Sequence, residues 1–350
     1  MPGYHSPQLE AEVRLNTNES PEPPPQAFLE ELSAAARSLA ANRYPDRDAA
    51  ELRAALASHH GVETDQVFCA NGSNEVLQSL FLAYGGAGRS ALVFEPTYAL
   101  HSHIARITGT DLVTGERTDS FEVDPAGAAR LLGEISATRG RGQPNLTMLC
   151  SPNNPTGNVE SPEVVEALSE MVPGLLVVDE AYGQFAPHSA LGLVGPSGGV
   201  VAVVRTFSKT WAMAALRLGY LVADPEVVAA CRAVALPYHL DALKQQAGVL
   251  ALSHQGEMEA RVARLVEERG RLVHALDEDG VRVWPSAANF VLFRVPGLSA
   301  GEMWRRLAGR SVLVRDVSGW PRLENCLRVT VGTREENGRF LEALREAMRE

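Results

Sequence analysis

A chain of 350 residues, 45% of them hydrophobic, can bury a large core, enough for two domains or one large one. Its formal net charge of −11 argues against nucleic acid or an anionic membrane as a partner, and no run of about 18 apolar residues offers a membrane span. The four cysteines (Cys69, Cys150, Cys231, Cys326) stand far apart with no C-x-x-C pair, which disfavours disulfides and a cysteine zinc site and makes the cytoplasm the expected compartment.

The first residues, "MPGYHSPQLEAEVRLNTNESP", have no basic or apolar signal region, so no secretory signal is expected. "NTNESPEPPPQ" then reads as an irregular, proline-rich segment. "AFLEELSAAARSLA" and "DAAELRAALASHHG" carry apolar residues at helical spacing, the second closing on Gly61. Short apolar runs follow, alternating with helical patterns: "QVFCA", "SALVFEP", "LTMLCSP", "LLVVDEA" and "VVAVVRTFS". Continuous Val/Leu runs between helices predict an α/β fold, a mostly parallel sheet covered by helices on both faces. "DALKQQAGVLAL" and "EMEARVARLVEERGRLVHALDEDG" give long helices without intervening strands, and the tail is a smaller strand–helix mix. The chain therefore divides into an N-terminal segment, 1–40, joining a small α+β domain at 241–350, with a large domain at 41–240 between them.

In such sheets ligands bind where loops leave the carboxyl ends of the strands. Four ends carry polar residues: "ANGSNE", "SPNNPTGN", "DEAY" and "SKTWAMAALR". They put Asn154, Asp179 and Lys209 on one rim. Lys209 is one of two lysines in a chain with thirty arginines, so a primary amine there calls for a reason. Each residue alone has a plain reading, as a turn, a cap or a solvated charge. Together, an amine, an acid, a side-chain amide and a phosphate cup are the parts that hold pyridoxal phosphate. The amine can condense with the cofactor's aldehyde, which arginine cannot do because it stays protonated. "GSNEVLQSLFLAY" supplies the cup, a turn at Gly72, Ser73 and Asn74 opening a helix. The histidines form no metal-like pattern, so no metal is expected. "GGAGRSA" fits a dinucleotide glycine pattern but precedes a strand instead of following one.

The ordered set "SPNNPTG", "VVDEAY" and "RTFSKTWAMAALRLG" resembles the fold-type I pyridoxal-phosphate-dependent aminotransferases. With "YHSPQLEAEVRLNTNESP", "NRYPD", "EPTYALH", "LPYHLDAL", "WPSAANFVLF", "VLVRDV" and "CLRVTVGT", the chain is similar over nearly its whole length to the histidinol-phosphate aminotransferase branch. The resemblance implies a large cofactor domain and a smaller α+β domain, and a homodimer in the cytoplasm. It implies that Lys209 bonds the cofactor and shuttles the substrate's proton, and that Asp179 pairs with the pyridine nitrogen. Asn154 and Tyr182 would hydrogen-bond the ring's 3′-oxygen, and Tyr98 would stack on the ring. Gly72, Ser73, Asn74, Thr206, Ser208 and Arg217 would hold the phosphate, with Tyr44 reaching the neighbouring subunit's cofactor. Arg328 would bind a substrate carboxylate, with Arg315, Tyr4 and Asn154 also at the substrate. The implied reaction moves an amino group from L-histidinol phosphate to 2-oxoglutarate, giving imidazole acetol phosphate and L-glutamate in histidine biosynthesis.

Without the resemblance, Tyr98 serves equally as a core aromatic, Tyr44 before Pro45 as a helix-entry staple, and Arg315 and Arg328 as surface partners of nearby acids. Two features depart from the family: "NES" stands where "NEN" is usual, and Trp211 where a smaller aromatic is common. An aromatic amino acid aminotransferase and a threonine-phosphate decarboxylase-like enzyme of the same fold share most of these motifs. A cofactor-sensing regulator would need a DNA-binding domain ahead of the cofactor domain, and the acidic first 40 or so residues are not expected to supply one.

Overall fold

The computed structural model describes residues 9–138, 142–195 and 201–350. The short β1 (Val13–Arg14) stands apart from the main sheet. That sheet is built from β2 (Val67–Ala70), β3 (Ser90–Glu95), β4 (Asp111–Glu116), β5 (Leu146–Cys150), β6 (Leu175–Asp179), β7 (Val201–Thr206) and β8 (Gly219–Val222), in spatial order β2-β8-β7-β6-β5-β3-β4. β8 alone runs against its neighbours, antiparallel to both β2 and β7. The five apolar runs are all strands. β4 and β8 are additions that no apolar run announces.

The sheet is buried on both faces, and strand alternation sorts its side chains between two layers. Val93 and Val177 pack with Val76, Leu80 and Ile104 on one face, whereas Leu92 and Leu176 pack with Leu132, Val165 and Leu168 on the other. Each such side chain contributes roughly 1.5–3 kcal/mol of burial. The edge strand β4 buries only Gly115, so its sequence carries no apolar run. Helix starts are signposted where expected. Asp124 accepts from the Ala126 and Gly127 amides and Ser161 from the Val164 amide, each ahead of a proline at the first helical positions.

A second, antiparallel sheet takes the order β12 (Arg315–Asp316), β13 (Leu327–Thr330), β10 (Phe290–Arg294) and β9 (Arg282–Val283). β11 (Val312–Leu313) pairs in parallel with β1, so the N-terminal segment is stitched to the C-terminal third. The Gln255–Glu278 and Arg334–Arg349 helices cover this sheet through Leu265, Leu272, Leu276, Phe340 and Leu344. The Gln26–Ser38 and Ala242–Ser253 helices lie instead with the main sheet, where Phe28 and Ala247 share a cluster with Leu52, Val67, Phe207 and Tyr220. Gly248 permits that approach: a Cβ there would come within 2.5 Å of Leu52 and 2.7 Å of Leu218.

Among the described residues no helix is long and apolar enough to cross a membrane, and no cluster of His, Cys, Asp and Glu could hold a metal ion. The four cysteines are free and buried.

Candidate active site

The carboxyl ends of β5, β6 and β7 meet at a cavity of about 200 Å³. Asn154, Asp179, Tyr182, Thr206, Ser208 and Lys209 line it from the main sheet's rim, and Arg315 and Arg328 from the second sheet. Ser73, Asn74, Tyr98 and Arg217 complete that wall. Asn154, Asp179 and Lys209 converge because the parallel strands β5, β6 and β7 end on the same edge, and the second sheet adds Arg315 and Arg328.

Two of these residues are held in place before any ligand arrives. Asp179, 1% exposed at the end of β6, accepts from the Ala181 amide (3.1 Å) on Oδ1 and from the His101 Nε2–H (3.0 Å) on Oδ2. The other ring nitrogen of His101, Nδ1, is buried without a hydrogen-bond partner among the described residues. Asn154 is presented by a loop that its neighbour anchors. Asn153 donates to the Pro96 carbonyl (2.9 Å) and to Thr156 Oγ1 (2.7 Å), and accepts from Thr97 Oγ1 (2.9 Å). The residue after Asp179, Glu180, is spent elsewhere, in a buried pair with Arg205 (2.7 Å). Only one acid of the "DEAY" pair therefore lines the cavity.

An anion cup lies beside them. Gly72 precedes the Ser73–Tyr84 helix with φ 81°, and among the described residues no side chain caps that helix's first turn. A Cβ at Gly72 would sit 2.8 Å from the Arg217 guanidinium, and one at Gly219 would sit 2.2 Å from the Ser73 amide nitrogen. Gly219 is required by its close approach to the helix start, and Gly72 by its backbone at φ 81°. Arg217, itself at φ 52°, donates to Ser208 Oγ (3.2 Å), and Thr206 Oγ1 donates to the same hydroxyl (3.0 Å). Tyr98 extends its hydroxyl to Asn74 Oδ1 (3.4 Å) and sets its ring edge-on to His101, 5.6 Å between centroids.

The second sheet brings the cations. Arg315 and Arg328 are register partners on antiparallel β12 and β13, so both belong to one short stretch of ladder. Arg328 donates to Asn154 Oδ1 (2.6 Å) and to the Asn16 carbonyl (2.8 Å). The strap 16–18 closes the wall. Lys209 Nζ donates to the Asn18 (2.8 Å) and Thr17 (3.2 Å) carbonyls, and Asn18 Nδ2 donates to the Tyr182 hydroxyl (2.8 Å).

Burial foremost, with the nearby Arg328 and Arg217 charges, pulls the Lys209 ammonium down to about 7, against a weaker opposing pull from Glu19. Burial pushes the Tyr182 hydroxyl above its ordinary range, which keeps it a neutral donor at physiological pH. The lowered value makes Lys209 a nucleophile near neutrality: below it the amine carries a proton, above it the lone pair is free. In the cofactor-free protein, condensation of Lys209 with a small aldehyde should rise about tenfold per unit through the acid range and level off above pH 8. A profile still climbing at pH 10 would contradict this environment for the amine.

Of the residues singled out from sequence, Tyr44 is not brought to the cavity. It lies 81% exposed, stacked on Tyr238 at 4.5 Å. Tyr4 lies outside the described residues. Trp211 packs behind the lysine against Phe207 and His59. Sequence reasoning missed Asn16, Thr17, Asn18 and His101. The strap hides in a segment that reads as irregular. His101 follows Tyr98 by three positions on one helical face, and that spacing was the available signal.

The model of the aminotransferase class I and II family matches residues 10–344. A histidinol-phosphate aminotransferase of Thermobifida fusca (strain YX) is 46% identical over 349 residues, covering 97% of this chain and 91% of its own. One from Frankia casuarinae is 44% identical over 360 residues, covering 97% and 86%. Among solved structures, the histidinol-phosphate aminotransferase from Sinorhizobium meliloti in complex with pyridoxal-5'-phosphate is similar with a TM-score of 0.86 and 26% identity, covering 97% of this chain and 92% of that one.

Proposed function

The chain belongs to the aminotransferase class I and II family, and from this we propose that it is a pyridoxal-phosphate enzyme transferring the amino group of L-histidinol phosphate to 2-oxoglutarate. The products are imidazole acetol phosphate and L-glutamate, a step of histidine biosynthesis. The observation that carries the substrate is identity of 41–46% over 97% or more of the chain to proteins bearing that name. The fit of the cofactor is supported by the donor set: an uncapped helix start with a guanidinium beside it, a buried carboxylate held from two sides, and an amine with a free lone pair near neutrality.

Bound there, pyridoxal phosphate supplies an electron sink for the bonds at the substrate's Cα. Ser73, Asn74, Thr206, Ser208, Arg217 and the amide at Gly72 hold its phosphate. Asp179 would face the ring nitrogen and favour its protonated form, while His101 keeps Asp179 in place. Asn154 and Tyr182 hold the 3′-oxygen, and Tyr98 covers one face. Lys209 would bond the cofactor's aldehyde and would be the group that carries the proton at the substrate's Cα. Arg328 and Arg315 bind the anionic groups of donor and acceptor, since a planar guanidinium matches carboxylate and phosphate alike.

The active unit is a cytoplasmic homodimer in this reading. The exposure of Tyr44 and its neighbours Tyr238 and Leu236, at 81%, 42% and 77%, supports a covered face there. Mixing Lys209→Ala with Tyr44→Ala protein should restore activity that neither parent has, because some heterodimer sites combine two intact halves. No recovery after verified subunit exchange would count against a shared site. For the substrate, kcat/KM for histidinol phosphate should exceed that for phenylalanine, each with 2-oxoglutarate. A preference for phenylalanine would replace this reading with a general aromatic aminotransferase.

A further inference from the structure

The second of the chain's two lysines has no place in that mechanism, yet it too is tied to the cavity wall. Lys244 lies in the first turn of the Ala242–Ser253 helix with its side chain 24% exposed. Its Nζ donates to Asn71 Oδ1 (2.7 Å) and pairs with Asp241 (3.0 Å). Asn71 immediately follows β2 and precedes Gly72, so it is the residue on which the anion cup turns. Its amide is fully used: Oδ1 accepts from Lys244, and Nδ2 donates to Glu75 Oε2 (2.7 Å) and to the His239 carbonyl (2.8 Å). Glu75, in the first turn of the cup's helix, in turn accepts from the Asn71 backbone amide.

An asparagine side chain can face either way, and its two ends demand opposite partners. With Nδ2 facing a carboxylate and a carbonyl, Oδ1 needs a donor, and Lys244 supplies a charged one. We propose that Lys244 is a positioning residue for the cofactor's phosphate: by fixing the Asn71 amide it holds the 71–75 turn, and so the Ser73 and Asn74 amides and side chains, in the geometry of the cup. This rests on the pyridoxal phosphate reading above. Lys244 touches neither cofactor nor substrate in it. Arginine, abundant elsewhere in the chain, could serve at this position, whereas it could not at 209, because what is needed is a donor and not a lone pair.

The test is the dissociation constant of pyridoxal phosphate, measured by titrating cofactor-free protein and following its intrinsic fluorescence. Lys244→Met should raise it about tenfold, the size of one charged hydrogen bond's loss, with kcat at saturating cofactor within about twofold of wild type. Lys244→Arg should restore the affinity. Asp241→Asn, which removes the other partner of Lys244 but can still cap the helix, should leave it unchanged. With Asn71→Ala already present, adding Lys244→Met should cost less than about twofold, because the two act through one contact. Unchanged affinity in Lys244→Met, or a full tenfold loss persisting beside Asn71→Ala, would overturn the proposal. A lowered melting temperature without loss of affinity would do the same. Failure of the wild-type protein to bind the cofactor would instead overturn the functional reading itself. Should Lys244→Met not fold, Lys244→Gln makes the same comparison.

Discussion

Replacing Lys209 by alanine is expected to lower transamination at least about a thousandfold, the upper part of the range for removing a general acid–base group. Among the described residues, the amine is the one group in the cavity that combines a lone pair near neutral pH with a position on the rim beside Asp179 and Asn154. Alanine removes the nucleophile and the proton carrier together. It also strips the Asn18 and Thr17 carbonyls of a donor, so the strap loses its tie to β7's end. Steady-state rates at saturating donor and acceptor measure the loss. Mass spectrometry after borohydride reduction should find the cofactor's mass on the Lys209 peptide of the wild-type protein and nowhere in the variant. A variant retaining a tenth of the wild-type rate would remove Lys209 from the mechanism.

Asp179→Asn should reduce kcat by about a hundredfold, equivalent to losing some 2–3 kcal/mol of charge-assisted hydrogen bonding in the rate-determining barrier. Asparagine keeps the shape of the side chain, and the anion cup is untouched, so cofactor affinity should fall much less than kcat. The charge is what is lost. An amide cannot hold a proton on the ring nitrogen, and it meets the fixed His101 ring with one oxygen where the carboxylate offered two. Measuring kcat beside the cofactor dissociation constant separates the effects. Near-normal turnover would show that the ring nitrogen is governed by another group.

Much of this was legible in the chain because burial on both faces leaves little choice of residue. A parallel strand covered on two sides must be apolar throughout, so the runs that become β3, β5, β6 and β7 stand out, and a polar residue closing such a run marks the rim. Asn154, Asp179 and Lys209 were found in this way. β4 was not, because only Gly115 of this strand is buried and "DLVTGE" looks like loop. β8 was not, because a four-residue strand that follows its neighbour without an α-helix breaks the βαβ rhythm. The strap 16–18 escaped for a different reason. Its backbone carbonyls, not its side chains, meet Lys209 and Arg328, and any residue type offers a carbonyl. His101 carried no metal spacing, and its partner lies 78 positions away at the end of a strand.

The concentration of amines at two tethered positions also shapes how the molecule can be handled. With Lys209 in the cavity and Lys244 bound to Asn71, the exterior displays guanidinium as its side-chain cation, which stays charged in alkaline solution. Reagents that couple to primary amines will therefore leave nearly all of the surface unmodified. Digestion of the denatured chain by a lysine-specific protease yields three fragments, 1–209, 210–244 and 245–350. Any stable adduct on Lys209 fuses the first two into one piece ending at 244. Occupancy of the cavity lysine can thus be read as a band shift on a gel.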